Sequence, residues 1–271
     1  KDPVVSILVI AFLTSILLLL DTIFHGKLAS SSLLGYSPVV GARFYGIGNE
    51  YMGLLVGSTI LTTAILCDLA AKKRDLFIKW GIPFYYMITA IFIVHPKFGA
   101  NVGDVITTTV GFGVSYLLLS GKKLSWKIIL YLFLAILLIF TLLILVDLQR
   151  EEPSHLAKSI LAIAKSGPVV ALLIISRKVS MNLKLMQYSR WTWVLASMTI
   201  TGLLLFKEPQ GVLINIFQRY PFLRLGLMGI LAAAIVALIY NDSGIVAAAT
   251  TLLVPGTGLL YLVLETRKED T

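Results

Sequence analysis

Apolar residues in this chain run in long unbroken stretches, and the polar residues collect in the short breaks between them. About 20 helical residues cross the roughly 30 Å hydrocarbon core of a bilayer. Eight stretches reach or approach that length, at 4–24, 51–70, 76–94, 102–120, 128–148, 191–206, 222–240 and 245–264. Lipid offers no partner to a backbone amide, so a spanning segment is a helix or part of a closed barrel. Runs that are continuous rather than alternating predict helices. The expected fold class is all-α: a polytopic transmembrane helical bundle of about eight spans, one integral membrane domain over residues 1–271. The span from Trp191 is short, and Trp191 and Trp193 suit an aromatic belt at the interface.

One stretch breaks the pattern. Within 154–186 the apolar centre GPVVALLIIS is interrupted by Gly167 and Pro168 and flanked by Lys158, Lys165, Arg177 and Lys178. His155, Lys158, Ala162 and Lys165 recur near helical spacing and give one polar face. That predicts an interfacial or re-entrant helical segment rather than a full crossing.

Orientation follows from short basic loops, which stay cytoplasmic. Lys72, Lys73 and Arg74, then Lys122, Lys123 and Lys127, mark two such loops. With eight spans both termini face the cytoplasm. GARFYGIGNE, HPKFGANVGD, QREEPSH, SRKVSMN and NDSG then all open outside. A ninth crossing would put NDSG on the other face. Lys and Arg counts barely separate the two arrangements, whereas convergence of the polar loops favours eight.

Composition narrows the class. A mean hydropathy of +0.90 with 14% charged residues excludes a soluble domain. Cys67 is the only cysteine, so neither a disulfide framework nor a thiolate cluster is expected. The net charge of +9 fits basic loops beside an anionic leaflet. It does not imply nucleic acid, because the basic residues are scattered among membrane-length runs. The opening KDPVV shows no signal-peptide cleavage pattern, and the chain is expected to be cut from a longer protein with a soluble domain upstream.

The loops hold the candidate chemistry. In GARFYGIGNE, Arg43 offers a rigid fork of donors for phosphate or carboxylate. Asn49 adds an amide for substrate binding, and Glu50 stands where a helix dipole favours negative charge. The plain structural reading is a snorkelling arginine and a helix-capping glutamate; Gly53 and Gly57, four apart, read as a packing seam. In HPKFGANVGD, His95, Lys97, Asn101 and Asp104 surround a glycine-rich bend, with Thr107 and Thr108 on a similar helical face. An aspartate at membrane depth faces the bundle interior or a wet cavity. Asp104 is thus a candidate to bind a cation, take a proton or pair with Arg43 or Lys97. No HxxxH or HxxE spacing accompanies the histidines, so no metal site is expected.

His155 is the best acid–base candidate by residue type, with Arg150 beside it for an anion; an ordinary interfacial histidine is the competing reading. Arg177, Lys178 and Asn182 form a cationic cluster that would lie outside, against the positive-inside trend. A phosphate-bearing partner, or simple headgroup attraction, would retain it there. Asn241 and Asp242 in NDSG are common turn formers that would share a face with Arg43. No P-loop, dinucleotide fingerprint or nucleophile elbow occurs, and no cofactor is named by the sequence.

As a set, GARFYGIGNE, FGANVGD, SHLAKS, SRKVSMN and NDSG resemble the multi-span membrane module of predicted alkaline-phosphatase-superfamily-like proteins of Gram-positive bacteria. The resemblance runs from about Gly41 to Gly244. It implies a cell-envelope setting in the cytoplasmic membrane. It carries no catalytic residue over, because the metal-binding phosphatase domain is not in this chain.

Three functions stay open. The leading expectation is an external pocket for a phosphate-bearing, lipid-linked substrate such as a glycan, with phosphoryl or glycosyl transfer as the reaction class. There Arg43, Lys97, Arg150 and Arg177 would hold the anion, His155 or His95 would move a proton, and Asp104 and Glu50 would orient partners. The alternative is a secondary transporter or flippase coupled through Asp104, Glu50 and Asp242. The third is a membrane anchor without turnover.

Overall fold

A computed structural model describes residues 2–24, 26–32, 34, 46–70, 73–95, 98–99, 104–122, 125–148, 168–207 and 211–269. The described residues form helices α1 (Pro3–Ile23), α2 (Lys27–Ser31), α3 (Asn49–Leu69), α4 (Arg74–Val94), α5 (Val105–Leu119) and α6 (Trp126–Leu148). They continue as α7 (Pro168–Tyr188), α8 (Trp191–Lys207), α9 (Val212–Arg219), α10 (Pro221–Tyr240) and α11 (Gly244–Glu269). A helix stands at each of the eight apolar stretches, and no strand occurs among the described residues. Five helices are long and apolar enough to cross a membrane: α1, α3, α4, α10 and α11 up to Lys268. The molecule is an all-α membrane protein.

Local chemistry explains several boundaries. Asp2 accepts the Val4 amide at 3.2 Å and Pro3 opens α1, both ordinary helix-starting devices. Pro168, read from the sequence as an interruption, instead starts α7, where its missing amide hydrogen is of no consequence. The helix then runs unbroken for 21 residues, while the stretch before Pro168 lies outside the described residues. Asp21 caps α2: its two oxygens accept the Leu28 and Ala29 amides at 2.9 Å.

The bundle is built around α3, which packs against α1, α4, α5, α10 and α11. Burial on all sides is possible because small residues let neighbouring backbones approach. A Cβ at Gly53 would fall 2.6 Å from the Ala247 carbonyl oxygen, and one at Gly57 would fall 2.2 Å from that of Thr251. Pro255, inside α11, has no amide hydrogen to give the Thr251 carbonyl. That freed oxygen is the one facing Gly57, an approach suited to a Cα–H···O contact. Helix α10 uses the same device twice more. Gly226 lies against Ala64 of α3, and Gly229 against Ser115 of α5. One set of polar groups caught inside is paired: the Tyr86 hydroxyl bonds Thr63 Oγ1 at 2.7 Å and Ser115 Oγ at 2.9 Å. The Tyr86 ring stacks on Phe112 with centroids 4.5 Å apart.

Carboxylates fasten the end where α3 finishes and α10 begins. Asp68 accepts the Phe222 amide at 2.9 Å and the Leu223 amide at 2.8 Å, capping α10 from another helix. Arg74 donates through Nε to the Cys67 carbonyl at 2.7 Å and lies 4.7 Å over the Phe222 ring. The Tyr220 hydroxyl donates to Asp2, which also meets Arg219 at 3.3 Å. Burial first, and then the hydrogen bond to Asp2, push the Tyr220 phenol above its ordinary value of 10.0.

Two expectations follow. Gly57→Ala should lower stability by about 1–3 kcal/mol through overpacking, whereas Gly202→Ala, with no atom within 4 Å of the added carbon, should raise it by roughly 0.5–1 kcal/mol. Thermal unfolding in detergent reads both, and equal shifts would rule out the seam as the tight contact. Because the Tyr220 pKa is raised on folding, its stabilisation is complete below about pH 10 and is lost as pH rises through the folded value. Tyr220→Phe should remove that alkaline loss, checked by unfolding midpoints between neutral and alkaline pH.

Candidate functional site

The loop before α3 turns at Gly46, whose φ of +82° is a left-handed conformation that suits glycine. The chain then passes Ile47, whose amide donates to the Gly99 carbonyl at 2.7 Å, and Gly99 in turn donates to Phe92 at 2.8 Å. One backbone bond thus joins the end of GARFYGIGNE to the bend of HPKFGANVGD. Asn49, the first residue of α3, donates from Nδ2 to Ser243 Oγ at 2.5 Å. Its carbonyl accepts from Thr250 Oγ1 at 3.5 Å. The turn between α10 and α11 is therefore held at the same end of the bundle as residues 46–50.

The next shell of bonds brings in α5 and α7. Asn241, 3% exposed, donates from Nδ2 to Thr107 Oγ1 at 3.3 Å. Its carbonyl accepts from Asn182 Nδ2 at 3.2 Å, and Asn182 Oδ1 accepts the Ile245 amide at 3.3 Å. One helical turn before Asn182, Lys178 Nζ meets the Tyr240 carbonyl at 2.9 Å and Asp242 Oδ1 at 3.2 Å. NDSG is thus clasped from below by α5 and from the side by α7.

Two carboxylates sit at this end. Asp104 occupies the N-cap position of α5 and is 0% exposed. Its carbonyl accepts the Thr108 hydroxyl at 2.8 Å, and Thr107 follows three residues on toward Asn241. Glu50 lies in the first turn of α3. Both stand at helix N-termini, where the dipole favours negative charge. His95 closes α4, exposed, with its ring 5.2 Å from that of Phe98. Arg177 is exposed on α7 beside Lys178.

Of the sequence candidates, Asn49, Lys178, Asn182, Asn241 and Asp242 are joined in one network, directly or through Ser243, Tyr240 and the short turn that carries them. Asp104 and Glu50 adjoin it on α5 and α3. His95 shares its end of the bundle. Arg43, Lys97, Asn101, Arg150 and His155 lie outside the described residues. Thr107, noted only for its helical face, proves to be a member, and so does Ser243, which looked like turn filler. Nothing local could have picked Ser243 out, since its partner lies 194 positions away.

The arrangement offers three amides, two hydroxyls, a buried carboxylate and an ammonium that is half-covered by an exposed aspartate. Such groups bind and orient a polar ligand by hydrogen bonds and charge. No group of three or more His, Cys, Asp or Glu able to hold a metal ion occurs among the described residues.

No known protein family, curated protein or solved structure matches the chain.

The two kinds of contact predict different costs. Asn241→Ala strips buried partners from Thr107 and should cost about 1–3 kcal/mol. Asp242→Asn breaks a pair whose aspartate is 67% exposed and should cost at most about 1 kcal/mol. Thermal unfolding of the two purified variants checks the order.

Proposed function

We propose that the protein is a multi-pass protein of the bacterial cytoplasmic membrane whose motif-bearing end faces outward and engages a phosphate-bearing, lipid-linked substrate for phosphoryl or glycosyl transfer. One observation carries this reading. Side chains from α3, α5, α7 and the α10–α11 turn, far apart in sequence, meet in a hydrogen-bonded polar centre at the end of an apolar bundle. Polar groups at membrane depth are costly and are retained where they serve a site. Sidedness is supported by the opposite end, where Lys73, Arg74, Arg219, Arg224, Arg267 and Lys268 collect, as cytoplasmic ends do. Eight spans with α7 at the interface fit the same picture: α7 gives its middle residues, Lys178 and Asn182, to the end of the bundle. In this reading Asn49, Asn182 and Asn241 orient the substrate while Lys178 and Arg177, with Arg43, Lys97 and Arg150, supply positive charge. His155 or His95 moves the proton. The resemblance to the membrane module of alkaline-phosphatase-like envelope proteins belongs to this proposal and gives its setting.

Transport is the second reading. It is favoured by the complete burial of Asp104 and by the Ser58 and Thr62 hydroxyls, which are buried in α3 without a partner among the described residues. One preparation tests both readings. Wild-type protein and the variants Asn49→Ala and Asp104→Asn are purified in mild detergent, and their bound lipids are extracted for mass spectrometry. A phosphate-bearing glycolipid should accompany the wild type and fall about tenfold in both variants, equivalent to about 1.4 kcal/mol of binding. Identical lipid profiles would sink the substrate-site reading. Lipid flux in proteoliposomes that Asp104→Asn abolishes, without any chemical change in the lipid, would shift the assignment to transport.

A further inference from the structure

A groove of about 330 Å³ opens between α8, α10 and α11, in the half of the bundle away from the polar centre. Its walls are mainly leucine, isoleucine and methionine side chains with Thr199 and Thr201 on the α8 side, and small residues make room for it. Gly202 of α8 has no atom within 4 Å of where a Cβ would stand, and Pro255 and Gly256 line the α11 side. One charged residue lines it: Arg224, an exposed residue three positions past Pro221.

Arg224 makes no ion pair, hydrogen bond or ring contact among the described residues. Three carboxylates at that end are engaged elsewhere. Asp68 holds the Phe222 and Leu223 amides, Asp2 holds Tyr220 and Arg219, and Glu265 pairs with Lys268 at 2.8 Å. An uncompensated guanidinium at the mouth of a hydrocarbon-lined groove matches one kind of molecule in a bilayer, an apolar chain attached to an anion. Arginine's planar fork fits a phosphate, and an apolar cleft at membrane depth fills with hydrocarbon rather than water.

We infer that this groove holds one acyl chain of an anionic glycerophospholipid, with the lipid phosphate on Arg224. The site is separate from the polar centre. Asn241 lies 17 residues beyond Arg224 on α10, about 25 Å at 1.5 Å per residue. The inference does not rest on the proposed function.

The test uses the whole purified protein in detergent, mixed with equal amounts of phosphatidylglycerol and phosphatidylcholine that carry the same acyl chains. Native mass spectrometry reads the bound species. Wild type should hold one phosphatidylglycerol about tenfold over phosphatidylcholine, the scale of a charge-assisted hydrogen bond. Arg224→Gln should keep one lipid but lose the headgroup preference. Gly202→Leu, whose side chain enters open space, should lose both lipids by about tenfold; Leu231→Trp fills the same groove from α10 if the first variant unfolds. No bound lipid in wild type, equal binding of the two headgroups, an unchanged preference in Arg224→Gln, or full binding when the groove is filled would each overturn the inference.

Discussion

The contact between α3 and α11 at Gly53 and Gly57 sets the spacing of everything else. The helices run side by side in the same direction, with the Ala247 and Thr251 carbonyls where side chains would otherwise stand. In lipid there is little hydrophobic drive between helices, so association depends on close van der Waals fit and polar pairing. Glycine supplies the fit, and Pro255 supplies a carbonyl with no helical partner to present. Because α3 then touches five other helices, a displacement of the seam would be felt by α1, α4, α5 and α10 together. The polar centre depends on it as well: Asn49 meets Ser243 only while α3 and α11 start level with each other.

Most of the architecture was legible in the chain. Helices stand where apolar runs of membrane length occur, because hydropathy and backbone satisfaction leave few choices. The Gly53–Gly57 spacing announced a close helix approach; of the polar stretches, the described parts of GARFYGIGNE and HPKFGANVGD meet NDSG at one end, whereas SRKVSMN is not a loop but the middle of α7, and QREEPSH lies outside the described residues. What was not legible is pairing at long range. Asn49 with Ser243 and Asp68 with Phe222 are separated by 194 and 154 positions, and turn residues give no hint of their partners. Pro168 was misleading for a local reason: the same missing amide hydrogen breaks a helix from within and is harmless at its start. The groove beside Arg224 had no signature either, since an empty volume belongs to three helices at once.

Charge is distributed by function of depth. Asp104 is buried at a helix N-terminus, whereas Lys178 and Asp242 sit at the rim, where water screens them and the pair is worth little. The deep amides of Asn182 and Asn241 therefore shape this end more than its visible ion pair does. That order of importance inverts what the charges alone would indicate in the sequence, where Lys178 and Asp242 draw the eye first.

The two ends of the bundle are fastened by different materials. At one, the Asp68 carboxylate grips two backbone amides at 2.8–2.9 Å, charge-assisted bonds of the stronger kind. At the other, most of the ties through Asn182, Asn241 and Thr250 are neutral and 3.2–3.5 Å long. Loss of the Asp68 carboxylate would therefore leave two amides of α10 unpaired at once, whereas loss of the Asn241 side chain would leave a single neutral bond to Thr107 unmade.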